Sequence, residues 1–442
     1  MKLSYCPQFE VSKQIESLNR RRNELNFLLG VFTEEMLYKH PSPSLVTGKE
    51  IERCAKSLLK GCKNDFSALD SIIMQDIRAN AKKAVVTHDY FFSKKIEKVS
   101  GFLSGIFGNG AYSEITTAIS PQKLDHQAIH DFFSLMRKRT AGTIDSELIF
   151  DEDEFRSEKK RVTKIIEGYR GHAEQFLKHL DIAQKMPDYT LVSSPYDFSF
   201  WDFGAKVMAI ERDLVPCIRA PGGKFVFLKS LGLSTAIHEA VHLVHEEVSR
   251  QCLPAVYCEP ESYENLVQGA CVEGVALFSE NIALEWIRKE SESLGVENEL
   301  ELLAAFKNAY LPNKMMRIAA CILEIKEAQE RAKERMPEHF KTESDKELAR
   351  ITEFYGFGKE RYIFPQQTLV ETVFMANYFF GSKKISNIAC KAKRKFRLNL
   401  NSSATKGLLL QALMTGMWAS PEAQEKFVIK HFFPKAKQDK II

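Results

Sequence analysis

The sequence predicts a mainly α fold in two helical lobes, residues 1–186 and 187–442, with a small β-sheet just before a helix that carries three histidines. Through most of the chain apolar residues recur at three- and four-residue intervals, the repeat of a helix with one buried face. The exception is 187–230, where short β-branched and aromatic runs are separated by Pro195 and by Pro221-Gly222-Gly223. With 44% hydrophobic and 11% aromatic residues and a net charge of +4, the 442 residues have the composition of a folded protein with ample core.

The first lobe is expected to cover a cleft with successive helices. Val11 to Tyr38 places Ile15, Leu18, Leu25, Leu28, Leu29, Phe32 and Met36 at helical spacing, and Pro41 and Pro43 end it. A second helical stretch is expected from Lys49 to about Ile96. Gly101, Gly105, Gly108 and Gly110 punctuate the segment to Pro121, which reads as a mobile loop or a turn between helices. The acidic cluster Asp151 to Glu154 suits the start of a long helix, Glu158 to Lys185.

In the second lobe, Tyr189–Ser194, Phe198–Phe203 and Lys224–Leu228 read as strands. An edge strand there could pair with an extended peptide, or the segment could be a plain connecting hairpin. Residues 234–250 follow as a helix with Ser234 as its N-cap, no Gly or Pro inside, and Ile237, Val241, Val244 and Val248 as its apolar stripe. Another helix, 264–290, carries Leu266, Ala270, Leu277, Ile282, Leu284 and Ile287. Helices are then expected to the end, broken at Tyr355-Gly356-Phe357-Gly358.

The helix 234–250 contains H-E-x-x-H as His238-Glu239-Ala240-Val241-His242, with His245 beyond it. Residues four apart on a helix lie within about 40° of each other. His238 and His242 can therefore meet on one ion while Glu239 points at what that ion activates. A catalytic zinc takes three protein ligands and keeps its fourth position for water, so a third ligand must come from elsewhere. Glu273 is the leading candidate, because Val272, Val275, Ala276 and Phe278 make an apolar setting that a carboxylate occupies when paired or metal-bound. Glu264 and Glu280 are the alternatives. Cys271 projects from another side of that helix and is not expected to ligate. Two incidental histidines on a buried helix are the bland reading, but burying three without a charge or metal partner is costly.

These residues carry a resemblance. His238 to His245, H-E-A-V-H-L-V-H, resembles the zinc helix of the gluzincin metallopeptidases, in particular the thimet oligopeptidase and oligoendopeptidase F family, which reads H-E-x-x-H-x-x-H. Glu273 to Glu280, E-G-V-A-L-F-S-E, is similar to that family's third-ligand helix, where a second glutamate follows seven residues after the first. It is also similar to the E-G-W-A-L-Y-x-E segment of related helical bacterial carboxypeptidase-like proteins. The likeness spans Ser234 to Trp286. Where the oligopeptidases have Gly before the second His, this chain has Val241, and its interval to the third ligand is several residues longer. The resemblance implies a two-lobed, zincin-like peptidase with one Zn2+ per chain, acting on short peptides. It also implies an oxyanion donor from the C-terminal part of the chain. Tyr378, in A-N-Y-F-F-G from Ala376 to Gly381, matches that role, with Tyr362 and Arg361 as rivals.

Such a site works by charge. Zinc lowers the pKa of its water from about 16 towards about 7, and Glu239 takes the proton and later delivers it to the leaving amine. Glu280 and Glu246 are candidates to receive the other ring N–H of a ligating histidine. His245 is a candidate to contact substrate, to support a ligand, or to replace His242 on the metal.

Other features exclude function classes. The weak positive balance does not point to nucleic acid, and the basic run Lys391 to Arg397 reads first as a solvated helix face. Met1 to Gln14 lacks an apolar core and no stretch approaches a membrane span, so neither a secretory signal nor a membrane protein is expected. Nine cysteines with no C-x-x-C read as reduced thiols in a cytoplasmic protein. The same ligands would serve a zinc hydrolase of non-peptide amides, or a toxin-like or regulatory protease with one protein target. A non-catalytic helical binding protein would have no use for Glu239.

Overall fold

The computed structural model describes residues 3–34, 45–62, 68–118, 132, 134–135, 149–150, 168–183, 190–193, 200–202, 207–210, 217–219, 225–255, 269–307, 365–416 and 419–442. It is mainly helical. Helices α1 (Lys13–Glu34), α2 (Leu45–Gly61) and α3 (Ala68–Phe91) pack on one another, with Ile15, Leu25, Leu29 and Phe32 of α1 fully buried. The single stretch expected over 49–96 is two helices, and Gly61 ends the first.

The glycine-punctuated segment is also helical: α4 (Val99–Phe107) and α5 (Ala111–Ala118). Its glycines do two separate jobs. Gly108 and Gly110 take φ of 100° and 89° in the turn between the helices, a region that side chains avoid. Gly105 admits Val86 of α3, whose Cγ1 would stand 2.6 Å from a Cβ placed there. Residues 168–179 form α6, the described part of the helix expected over 158–185; Asp151 to Glu154 lie outside the described residues.

Short strands lie on both sides of α6 in the chain. β1 (Ile149–Phe150), β6 (Phe225–Phe227) and β5 (Cys217–Arg219) form an antiparallel sheet in that order. In a second sheet, β4 (Val207–Ile210) lies between β2 (Thr190–Ser193), to which it is parallel, and β3 (Phe200–Asp202), to which it is antiparallel. Strand β6 runs through Leu228 straight into α7 (Lys229–Cys252).

Helix α7 begins five residues before the expected start at 234, and Ser234 is buried inside it rather than capping it. The signal that misleads is a good capping residue ahead of a periodic run; the cap comes instead from a distant carboxylate. Glu299 accepts hydrogen bonds from the backbone N–H of Lys229 at 3.3 Å and of Ser230 at 2.7 Å. A buried carboxylate at a helix N-terminus satisfies orphan donors and opposes the helix dipole. Glu299→Ala should therefore cost about 1–3 kcal/mol. An unchanged denaturation midpoint in that variant would show that the cap contributes nothing.

After α7 the described residues hold four longer helices, α8 (Gly269–Lys289), α9 (Pro365–Phe396), α10 (Ser403–Met414) and α11 (Pro421–Phe427), and the short helices Ser291–Leu294, Leu300–Ala305 and Phe433–Gln438. The helix expected over 264–290 is described from 269, and the break expected at 355–358 lies outside the described residues. Ser402 and Ser420 cap α10 and α11 through the N–H of Thr405 and Ala423, and Pro421 sits at the first helical position of α11. A buried ion pair joins the two ends of the chain: Arg22 meets Asp76 at 3.4 Å, and Asp76 accepts from the Ser420 N–H at 2.8 Å. The basic run from Lys391 is the exposed end of α9, where Lys391 pairs with Glu425 at 2.8 Å. No helix among the described residues is long and apolar enough to cross a membrane.

Candidate metal centre

Helix α7 is buried almost all round. Ile237, Val241, Val244 and Val248 form the expected stripe, but His238, Glu239, His242 and His245 are buried too. Polar side chains are carried on such a helix at a cost unless partners meet them. Helix α8 packs against α7 and supplies those partners.

Glu273 Oε2 lies 3.4 Å from His238 Nε2 and 3.8 Å from His242 Nε2. The ligand atoms of these three residues all fall within 4.8 Å of one another. A tetrahedral zinc with bonds of about 2.0–2.1 Å has ligand-to-ligand edges of about 3.3–3.4 Å. The Glu273–His238 distance matches that spacing and the Glu273–His242 distance is a few tenths of an ångström longer, and Glu273 Oε2 has no hydrogen-bond partner among the described residues. The donor set is of the type and number that a zinc ion takes.

What brings α8 to this position is a close crossing with α9. A Cβ on Gly274 would lie 2.5 Å from the backbone carbonyl carbon and oxygen of Gly381, and one on Gly381 would lie 2.1 Å from the Ala270 carbonyl oxygen. No side chain fits at either position. The crossing carries Tyr378 of α9, half-buried, to Glu273, where its hydroxyl donates a hydrogen bond to the carboxylate.

Behind the ligands lies a relay of buried charge. His238 Nδ1 donates to Glu280 Oε1 at 2.6 Å, and Glu280 Oε2 accepts from Lys307 Nζ at 2.7 Å. With Nδ1 committed to a carboxylate, Nε2 is the nitrogen left to face an ion. Glu280, rather than Glu246, thus receives the ring N–H, and that engagement keeps it out of the ligand group.

The titration properties follow from burial and these contacts. Burial works to depress His238, but the carboxylates of Glu273 and Glu280 facing its two ring nitrogens prevail and hold it up at about 10. Burial pushes Glu239 up to about 7 and pulls His242 down to about 4. Burial likewise works to raise Glu273, yet the neighbouring His242 and His238 and the Tyr378 hydroxyl keep it below its ordinary value. For Glu280 burial is outweighed by Lys307 and His238, and it falls to about 2. Burial lowers His245 to about 3.

Of the sequence candidates, His238, Glu239, His242, Glu273, Glu280 and Tyr378 come together here. His245 is buried with neither ring nitrogen hydrogen-bonded among the described residues, and it stands outside the ligand group, as does Cys271. Tyr362, Arg361 and Glu264 lie outside the described residues. Lys307 was not anticipated, although it directly follows the apolar run Leu302-Leu303-Ala304-Ala305-Phe306, a local signal that could have suggested its burial. Gly274 and Gly381 were legible in principle, since a glycine inside a helix costs stability and calls for a packing reason.

The relay makes a prediction. Glu280→Gln or Lys307→Met should weaken zinc binding about 10–100-fold without removing a ligand. Competition titration against a chelating dye measures this. Wild-type affinity in a folded Glu280→Gln protein would mean that the carboxylate does not orient His238.

No protein-family model matches the chain, and no curated protein matches it. Among solved structures it is similar to a crystal structure from Colwellia psychrerythraea described as a "putative lipoprotein", with 13% identity and a TM-score of 0.41, over 93% of this chain and 69% of that one.

Proposed function

We propose that this chain is a zinc-dependent metallopeptidase that hydrolyses peptide bonds, in short peptides, with one Zn2+ held by His238, His242 and Glu273. The observation that carries the reading is the convergence of two imidazole Nε2 atoms and a carboxylate oxygen, 3.4 and 3.8 Å apart, beside the buried Glu239. The resemblance of H-E-A-V-H-L-V-H and E-G-V-A-L-F-S-E to the gluzincin helices supports the peptide class of substrate and the two-lobed, cleft-bearing architecture.

Bound there, zinc would acidify a water molecule and polarise the scissile carbonyl. Glu239 accepts the water's proton and returns it to the leaving amine. Its Oε2 has no hydrogen-bond partner among the described residues, so a lone pair is free for that transfer. His238 is held in one tautomer by Glu280, and Glu280 is held in place by Lys307. Tyr378 steadies Glu273 through its hydroxyl and is also a candidate donor to a developing oxyanion.

The test is elemental analysis of the purified chain joined to mass spectrometry of a digested peptide library. One zinc per chain with cleavage that a chelator abolishes is the expected result. Zinc without peptide cleavage would leave the metal site standing and redirect the search to non-peptide amides or to a single protein target. No metal uptake would end the reading.

A further inference from the structure

The nine cysteines read as unconnected thiols in the sequence, yet two of them meet in the fold. Cys6 Sγ lies 3.3 Å from Cys252 Sγ, across 246 residues of chain. Cys252 ends α7, and the segment bearing Cys6 is fastened beside it: the Phe9 N–H donates to the Cys252 carbonyl at 2.9 Å. Leu3 bridges to Ala183, Tyr5 stands edge-on to Phe432 with ring centroids 5.7 Å apart, and Phe9 does the same to Phe427 at 4.9 Å. The two sulfurs are thus brought together by backbone and packing on both sides. A disulfide needs them about 2.05 Å apart, so closure asks for a movement of little more than 1 Å.

We infer that Cys6 and Cys252 are an oxidative modification site, a thiol pair that a hydroperoxide converts to a disulfide fastening the N-terminal segment to the end of the metal-site helix. Cys6 is half-buried and Cys252 buried, so the oxidant reaches Cys6 first. The two thiols also differ in chemistry. The contact between the two sulfurs lowers the Cys6 thiol against the effect of burial, while the same contact together with burial pushes Cys252 far up. Cys6, the more accessible of the two, is the nucleophile, and the buried Cys252 is the resolving thiol.

The steps balance. The Cys6 sulfur attacks one oxygen of hydrogen peroxide; the O–O bond breaks, one water leaves, and Cys6 becomes a sulfenic acid. The Cys252 sulfur then attacks the Cys6 sulfur; the S–S bond forms, the S–O bond breaks, and a second water carries away the oxygen with the Cys252 proton. Two electrons pass from the two sulfurs to the peroxide. The site does not depend on the metal reading, since Cys252 lies ten positions beyond His242 and neither cysteine belongs to the ligand group.

The experiment treats the reduced full-length protein with hydrogen peroxide, blocks free thiols with N-ethylmaleimide, and maps unreduced peptides by mass spectrometry. The expected product is a monomer lighter by two hydrogens, containing a peptide linked through Cys6 and Cys252, with a Tm raised by a few degrees. Dithiothreitol should reverse both changes. Cys6→Ser and Cys252→Ser should each lose the linked peptide and the Tm rise; because the wild-type map decides the matter, a variant that fails to fold does not rescue the idea. Maleimide on both thiols after oxidation, Cys6 halted at the sulfinic acid, or a bond found only between two chains would each overturn it.

Discussion

Replacing Glu239 by Gln should lower peptide turnover by about 10²–10⁴ while leaving the metal in place. The substitution keeps the shape of the side chain and removes its ability to take a proton. Glu239 sits next to His238 on the same helix, is buried, and stands outside the group of three ligand atoms. Loss of its carboxylate therefore touches chemistry and leaves binding of the ion to His238, His242 and Glu273. The measurement pairs kcat on a peptide recovered from the library with zinc per chain in the same preparation. Equal hydrolysis by the two proteins at equal zinc content would remove Glu239 from the reaction. A variant that also loses its zinc would mean that Glu239 supports the site rather than acting in it.

The fold class and the centre were legible to different depths. H-E-x-x-H specifies its own geometry, because on any helix His238 and His242 project to one side; nothing beyond local periodicity is needed. Glu273 required a second inference, from a carboxylate set among Val272, Val275 and Ala276, and its meeting with the histidines is tertiary. It depends on α8 and α9 touching at Gly274 and Gly381, a contact between residues 107 positions apart that no local pattern announces. Lys307 and Glu299 show the same limit. Each is an ordinary charged residue in sequence, and each becomes specific only when the fold buries it against Glu280 or against the start of α7. The misplaced start of α7 has the same origin, since Ser234 is a sound local cap overruled by a carboxylate 65 positions away. The glycines of 101–110 were ambiguous for a different reason: positive φ and close packing leave the same letter in the sequence.

Glu273→Ala should abolish tight zinc binding and, with it, the response of the protein to chelator. In the wild type, ligand saturation stabilises the folded chain by RT ln(1 + [Zn]/Kd), about 2.7 kcal/mol at a hundredfold excess over Kd, and chelation should lower the Tm accordingly. The metal-free wild type is cushioned, however. His238, held up at about 10 by Glu273 and Glu280, is protonated at pH 7 when no ion is present, so the Glu273 carboxylate keeps a charge partner. Zinc must displace that proton, because a ligating imidazole is neutral, and binding near pH 7 should release about one proton per ion. The release should fade as the pH rises through the metal-free His238 value. Calorimetric titrations in buffers of different ionisation enthalpy count it. In Glu273→Ala the third ligand is gone and His238 loses one of its two carboxylates, so zinc should bind weakly and chelator should leave the Tm unmoved. A folded Glu273→Ala protein with wild-type zinc affinity would pass the ligand role to another carboxylate, Glu264 or Glu280 first among them, and would remove Glu273 from the proposed site.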